Sequence, residues 1–498
     1  MDITKEKKTQ EDNKWKILIC VVTMTFMVCV DGSIVNVALP KIASDLNSSM
    51  IGVQWIVTSY LITISSLVLL CGRIGDIRGK CTVFKIGVLI FTIGSLCSGL
   101  SKALPLLIIS RIIQGCGAAC TMATSMGIIT ATFLNEGRGK AMGISASAVA
   151  LGVMVGPAIG GILVSIRWDL IFWINIPIGI VAFIASNKIL YKSKKASNEK
   201  IDIRGTIVFT IFIVSSTVSI TKGEFIGYTN KYILLGFLIS IISLVLFIYL
   251  QKTIESPVLD LKLFKNKLFS LSILCSVLSF LSISCVTIIL PFYLEQALNM
   301  SSFDAGMFLM IYPLALSISA PFSGSLSDKY NGKLISLIGL VLSTIGLFLM
   351  GTVQDGTPLI VVGAFNGIMG LGNGMFKSPN NSLVMSKIDK KSLGIAGSVN
   401  SLFRNLAMVY GFTLATTLLY DRMSYKLGYQ VSNYVKGKLD VFIYGMDYVF
   451  IVAAIISAIG VVVALIRYLR IENWKFRIWN WADYWTNYIY YGKSICKL

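Results

Sequence analysis

Fourteen apolar runs, each long enough to cross a bilayer, recur along this chain, and no other feature restricts its folding as tightly. A hydrocarbon core ~30 Å thick takes about twenty helical residues to cross, and lipid offers no partner to backbone N–H and C=O groups. The crossing segments are therefore helices, because barrel strands would need only about ten residues each. The spans are expected at 17–39, 51–71, 82–100, 104–131, 140–165, 169–190, 203–220, 231–250, 269–294, 304–326, 334–353, 358–385, 393–420 and 441–467. The class is an all-α membrane protein. Only 14% of the residues are charged, where a soluble domain carries about a quarter.

Charge sets the orientation. Lys and Arg crowd every second loop: Arg78, Lys80 and Lys85; Arg138 and Lys140; Lys192, Lys194, Lys195 and Lys200; Lys262, Lys265 and Lys267; Lys387, Lys390 and Lys391. These loops and the termini hold about 32 of the 44 basic residues, against about nine in the alternate loops. Basic loops stay cytoplasmic, so both termini are expected inside, as an even number of spans requires. The net charge of +20 is thus mostly a topology signal, and no nucleic-acid partner is needed to explain it. The polar opening MDITKEKKTQEDNKWK runs into a full-length span, so no removable signal peptide is expected.

The chain has no His, which excludes a His-based triad or His metal site. Most of the ten Cys lie in or near spans, where they act as small apolar residues. No metal-ligand spacing and no GxxxxGK[ST] loop appears, so neither metal, cofactor nor ATP is expected.

A repeat divides the chain. Gly72, Asp76, Gly79 and Lys80, in GRIGDIRGK, return 252 residues later as Gly324, Asp328, Gly332 and Lys333, in GSLSDKYNGK, with one extra residue before the second Gly-Lys. Each copy follows the second span of a six-span block. The expected plan is a cytoplasmic N-terminus (1–16), a six-helix bundle (17–190), a basic linker (191–202) and two additional helices (203–250). A cytoplasmic linker (251–268), a second six-helix bundle (269–470) and a basic aromatic tail (471–498) complete it. Repeats of this kind mark two halves that rock around a site at their interface. The two additional spans hold no acid or base at membrane depth, which predicts a packing role. The tail's Trp, Tyr, Lys and Arg suit an interfacial segment on the inner leaflet, and a partly ordered cytoplasmic tail fits equally.

The glycines of GRIGDIRGK permit a tight turn, and Asp76 and Arg78 offer a charge pair at a cytoplasmic helix end. This loop resembles the hallmark loop of the major facilitator superfamily, where it latches the two halves on the cytoplasmic side. Ile77 and Cys81 depart from its usual basic residues. Arg111, Gln114 and Gly115, in RIIQGCGAA, are similar to the family's next motif, which implies a part in proton coupling for Arg111. In GVMVGPAIGG, Gly152, Gly156 and Gly160 fall on one helix face with Pro157 and Gly161 beside them. Such a stripe lets helices pack backbone to backbone. It is similar to the superfamily's antiporter motif. DGSIVNVALPKI (31–42), QWIVTSYLIT (54–63), IFWINIPIG (171–179) and GIAGSVNSLFRNLAMVYG (394–411) resemble the fourteen-span drug:proton antiporters. The resemblance implies a major facilitator fold in a multi-pass cell membrane, of the prokaryotic plasma-membrane type. It also implies a monomer that exchanges protons for small amphipathic compounds.

Asp31 is the sharpest candidate for chemistry, ~12 Å below the outer end of its span. A carboxylate at that depth must neutralise itself, or meet water or a cation. Arg111, Lys377 and Arg404 also lie within spans, and Asp31 reads as the one comparably deep acid. A cavity with more positive than negative charge favours anionic, zwitterionic or neutral cargo over lipophilic cations. Asn36, Gln54, Tyr60 and Gln114 are further candidates to line it, though such residues equally bond other helices. A membrane enzyme would need a clustered acid–base or nucleophilic set, and a transporter-like sensor a soluble output domain. Neither is visible here. The alternative within transport is a dedicated exporter of one endogenous anionic or neutral metabolite or lipid-like compound.

Overall fold

The computed structural model describes residues 2–133, 138–190, 202–254, 257–259, 261–386, 393–431, 433–435 and 437–495, and side chains for somewhat fewer. Of the basic loop residues, Lys192, Lys194, Lys195, Lys200, Lys387, Lys390 and Lys391 lie outside the described residues. The side chains of Arg138, Lys140, Asp328 and the tail beyond Leu469 lie outside them too.

Five unbroken helices open the chain: α1 (Asp2–Asp45), α2 (Met50–Arg78), α3 (Lys80–Leu100), α4 (Leu104–Thr132) and α5 (Arg138–Ile166). The sixth span is split into α6 (Leu170–Trp173) and α7 (Asn175–Ile189). Pro177, in the first turn of α7, has no N–H to continue the ladder from α6. Next come α8 (Ile203–Ile226), α9 (Lys231–Thr253) and α10 (Lys267–Phe292), the last closing in a π-helical turn at Tyr293–Ala297. The tenth span is again split, into α11 (Ser302–Leu309) and α12 (Ile311–Lys329), with Pro313 in the first turn of the second piece. α13 (Gly332–Met350), α14 (Leu359–Met385), α15 (Leu393–Leu427) and α16 (Leu439–Ile495) complete the chain. Thirteen spans are long and apolar enough to cross a bilayer over their described residues. The fourteenth is α5, apolar over Leu151–Ile166. No strand occurs among the described residues.

Small polar residues start the helices by answering N–H groups that the first turn leaves open. Ser49 accepts from Gly52 N at 3.0 Å, Asp202 from Gly205 N at 2.7 Å, and Ser301 from Asp304 N at 3.1 Å. Burial then follows the bundle rather than the membrane. α2 is buried nearly throughout, while α9 turns Leu234, Leu238, Ile241, Ile242 and Val245 outward, as lipid permits.

The packing is repeated. α1 lies on α5, and α4 on α2 and α3; correspondingly α10 lies on α15, and α14 on α12 and α13. Across the seam, α2 meets α15, α5 meets α11 and α12, and α1 meets α10. α8 spans one edge of that seam, touching both α2 and α15, with Ser216 Oγ and Tyr410 Oη 2.7 Å apart. Its inner end is tied by the buried Asp202, which accepts from Gln251 Nε2 at 2.8 Å. α16 runs on as helix into the aromatic tail.

The inner end of the last span holds a deep cation that has no marker in the sequence. Arg467, near the inner end of the last span, is fully buried. It donates to Asn380 Oδ1, to Ser272 Oγ at 2.9 Å and to Ser336 Oγ at 2.6 Å, joining α16 to α14, α10 and α13. Replacing it with Ala orphans these acceptors, so Arg467→Ala is expected to cost about 2–4 kcal/mol. A fall in the thermal unfolding midpoint of purified protein checks this, and an unchanged midpoint contradicts it.

Candidate coupling site and the seam between the halves

Asp31 sits in α1 with no exposed surface, and its two oxygens are fully engaged. Arg111 Nη1 of α4 donates to Oδ2 at 2.6 Å. Gln114 Nε2 and Asn175 Nδ2 each donate to Oδ1 at 2.8 Å. Arg111 and Gln114 are one helical turn apart, so both reach one carboxylate. Gln114 also donates to Ser95 Oγ of α3 at 2.8 Å, and its Oε1 accepts from Arg111. Arg111 Nε donates to Ile56 O at 3.2 Å, and the guanidinium lies over the Tyr60 ring at 4.0 Å. Five helices of the first half thus converge on one buried ion pair.

An isolated charge at this depth costs several kcal/mol, and the pair answers it with hydrogen bonds through both carboxylate oxygens and through Arg111 Nε and Nη1. Arg111 Nη2 and the Tyr60 hydroxyl keep no partner. The arrangement holds a carboxylate beside a guanidinium inside a packed bundle.

The glycine stripe is what brings α5 against this helix. A Cβ on Gly156 would stand 1.8 Å from Ser33 Oγ and 3.2 Å from Ile34 N. Ser33 Oγ in turn donates to Gly152 O at 3.3 Å. On the opposite face, a Cβ on Gly161 would meet Ser302 O at 2.9 Å and Gly306 Cα at 3.2 Å. One face of α5 therefore grips the helix carrying Asp31, and the other touches α11 of the second half. Gly160 packs on Ile34, and Pro157 O faces Gly306.

Gln54 is placed in the outer seam, where its Oε1 accepts from Thr416 Oγ1 of α15 at 2.7 Å. With the α5–α11 contact, this closes the outer ends of the halves. Asn36 is buried, bonds only its own helix at 3.4 Å through Nδ2, and leaves Oδ1 unpartnered. Lys377 of α14 lies 5.5 Å from the Phe280 ring. Lys377 and Arg404 of α15 lie within electrostatic reach of each other and of Cys29, two residues before Asp31. Neither has an acidic partner among the described residues.

At the cytoplasmic loop, Asp76 pairs with Lys80 at 3.1 Å rather than with Arg78. Gly79 breaks α2 from α3 at φ 103°, which an L side chain resists. That turn brings Lys80 back over Asp76 and lays its stem beside Gly127 of α4. In the second copy Asn331 caps α13, accepting from Lys333 N at 3.1 Å, while Gly332 opens that helix. Gly324 lies near Ser378 of α14.

Three further residues stand where the sequence did not point. Asn175 and Ser95 complete the Asp31 network from other helices, and neutral residues at such distances carry no sequence signature. Asp447, about 12 Å inside α16, is a second deep acid, so Asp31 is not alone at that depth. Its Oδ1 is buried without a partner.

The family model described as Major Facilitator Superfamily matches residues 21–412 and 272–478. The chain belongs to the major facilitator superfamily. Relatives of the chain include the riboflavin transporter RibZ of Clostridioides difficile, 36% identical over 83% of this chain and 90% of that one. The multidrug transporter protein MdtP of Bacillus subtilis is 27% identical over 85% of this chain and 78% of its own. A solved structure of the E. coli xylose transporter XylE, partially occluded and inward open, covers 92% of this chain with a TM-score of 0.58. It spans 97% of XylE at 14% identity, a likeness of fold. The chain is thus a major facilitator transporter, built into a membrane.

Proposed function

We propose that this transporter exchanges protons for a small molecule by alternating access, with Asp31 as the proton-binding group and Arg111 as its partner. The observation that carries this reading is the fully buried Asp31–Arg111 pair on the helix that the α5 glycine stripe grips. Protonating Asp31 removes half of the pair and leaves Arg111 charged in a dry site. That change alters what α1 and α5 prefer to pack against. Export fits the resemblance to drug:proton antiporters, and the multidrug relatives are in keeping with it. Purified protein in liposomes, given an outward or inward pH gradient, tests the reading through the movement of a labelled cargo.

A second observation bears on the cargo. Among the described residues Lys377 and Arg404 have no acidic partner, whereas the charge of Asp31 is already answered by Arg111. The surroundings of Lys377 and Arg404, within reach of Cys29 of α1, are therefore electropositive, which favours a neutral or anionic cargo and repels cations. Phe280 beside Lys377 offers a flat apolar face. A planar heteroaromatic metabolite fits that chemistry, and the riboflavin transported by the C. difficile relative is the natural first compound to try. In inverted vesicles, riboflavin and an anionic dye should accumulate in preference to a cationic dye. The double variant Lys377→Gln, Arg404→Gln should erase that preference by about tenfold or more, the scale of one lost charge contact. A clear preference for the cation in the unaltered protein would refute the electropositive site.

A further inference from the structure

We infer that a groove between α1 and α7 holds one anionic phospholipid, with an acyl chain along the groove and the phosphate on the lysines at its mouth. The groove has a volume of about 420 Å³. Ile19 and Thr23 of α1 wall one side, and Ile178, Val181, Ala185 and Ile189 of α7 wall the other. Cys20 and Ala182, both buried, close the floor where Cys20 Sγ meets Ala182 O at 4.0 Å. Ile19 and Val181 are 64% and 66% exposed, so the groove opens toward lipid and not into the bundle. From Pro177 to Ile189 the helix rises ~18 Å. The hydrocarbon of one leaflet, half of a ~30 Å core, is about 15 Å deep, so the groove suits one acyl chain.

The mouth decides which lipid. Lys16 lines it, at the end of the bundle that carries Lys80. Lys188 stands exposed beside the lining residue Ile189, and Lys85 of α3 donates to Leu190 O at 3.2 Å, at the end of α7. Trp15, next to Lys16, packs edge-on against Phe133 with ring centroids 5.5 Å apart. Tryptophan settles at headgroup level, which puts the mouth among the lipid phosphates. No Asp or Glu stands in α3, in α7 or in α1 from Lys14 to Val30. Among the described residues, neither Lys16 nor Lys188 has an acidic partner. The mouth is therefore positive with nothing to balance it, and basic pockets between spanning helices bind anionic headgroups. A soluble phosphate would satisfy the lysines and leave the apolar groove empty. A zwitterionic lipid would fill the groove but bring its own cation to the lysines. An anionic phospholipid answers both parts.

Native mass spectrometry of the full-length purified protein tests this. The protein is released from micelles holding equal amounts of dioleoyl phosphatidylglycerol and dioleoyl phosphatidylcholine, and the lipid that stays bound is identified. One phosphatidylglycerol should be retained about tenfold over phosphatidylcholine. The double variant Lys16→Gln, Lys188→Gln should erase that preference. Both lysines are exposed, so the unfolding midpoint of this variant should hold, which separates a lost site from a lost fold. Ala185→Phe, which fills the groove and keeps both charges, should release the lipid. Excess glycerol phosphate should leave it in place. Equal retention of the two lipids overturns the site, as does a preference that survives the double lysine variant. Displacement by glycerol phosphate overturns the lipid as its occupant.

Discussion

Asp31→Asn is expected to abolish transport driven by a pH gradient. Asparagine retains the shape of the side chain and accepts a hydrogen bond from Arg111, but it neither charges nor takes up a proton in this range. The same change leaves Arg111 as an uncompensated buried cation, which costs about 3–5 kcal/mol when one partner of a buried pair is removed. Loss of transport in the single variant alone would therefore mix two causes. The double variant Asp31→Asn, Arg111→Gln separates them. Its unfolding midpoint should recover toward that of the unaltered protein, because no charge is left without a partner, while gradient-driven transport stays absent. Undiminished proton-driven transport in Asp31→Asn would remove Asp31 from the mechanism.

The second large effect concerns the seam. Gly306 faces Pro157 O at 2.7 Å and Gly161 Cα at 2.8 Å from where a Cβ would stand, and these are backbone atoms that cannot rotate away. Gly306→Leu should therefore force α11 from α5 and open the outer side. The Gln54–Thr416 hydrogen bond lies in the same closed face and should break with it. A cysteine placed at Thr416, buried in the closed form, reports the change through its labelling by an impermeant thiol reagent. Labelling in the Gly306→Leu background should rise by about tenfold or more, the equivalent of ~1.4 kcal/mol in the closing equilibrium. Equal labelling in both backgrounds would show that this contact does not hold the outer side shut.

Much of the fold was legible because lipid makes it so. Helix number followed from apolar runs, and the repeated helix packing accords with a loop repeated at a fixed offset. The two split spans were not foreseen, although Pro177 and Pro313 stand at the breaks. An apolar run continues through a break that costs only one or two backbone bonds, so hydropathy does not register it. Asp31 and Arg111 were each conspicuous by their depth, and depth alone required partners. That they are each other's partner is a fact of how α1 crosses α4, which spacing within one helix does not encode. Gln54 shows the converse: a polar residue in a span reads the same whether it lines a cavity or ties two helices together. Arg467 was hidden for another reason. It stands where inner-leaflet cations are common, so its burial among Ser272, Ser336 and Asn380 had no marker in sequence.

The two additional helices gain a physical meaning from their position. α8 rests on both α2 and α15, so it covers one edge of the seam without supplying a charged group at membrane depth. The opposite edge, where α5 meets α11 and α12, carries the glycine contact.

The central claim is that proton binding and cargo movement are one cycle. Its most direct measurement places the purified protein in liposomes containing a pH-sensitive dye, imposes a cargo gradient without any pH gradient, and records the internal pH. Cargo leaving the liposomes should draw protons inward, and Asp31→Asn should silence that signal. Cargo flux with no proton movement in the unaltered protein would contradict the account.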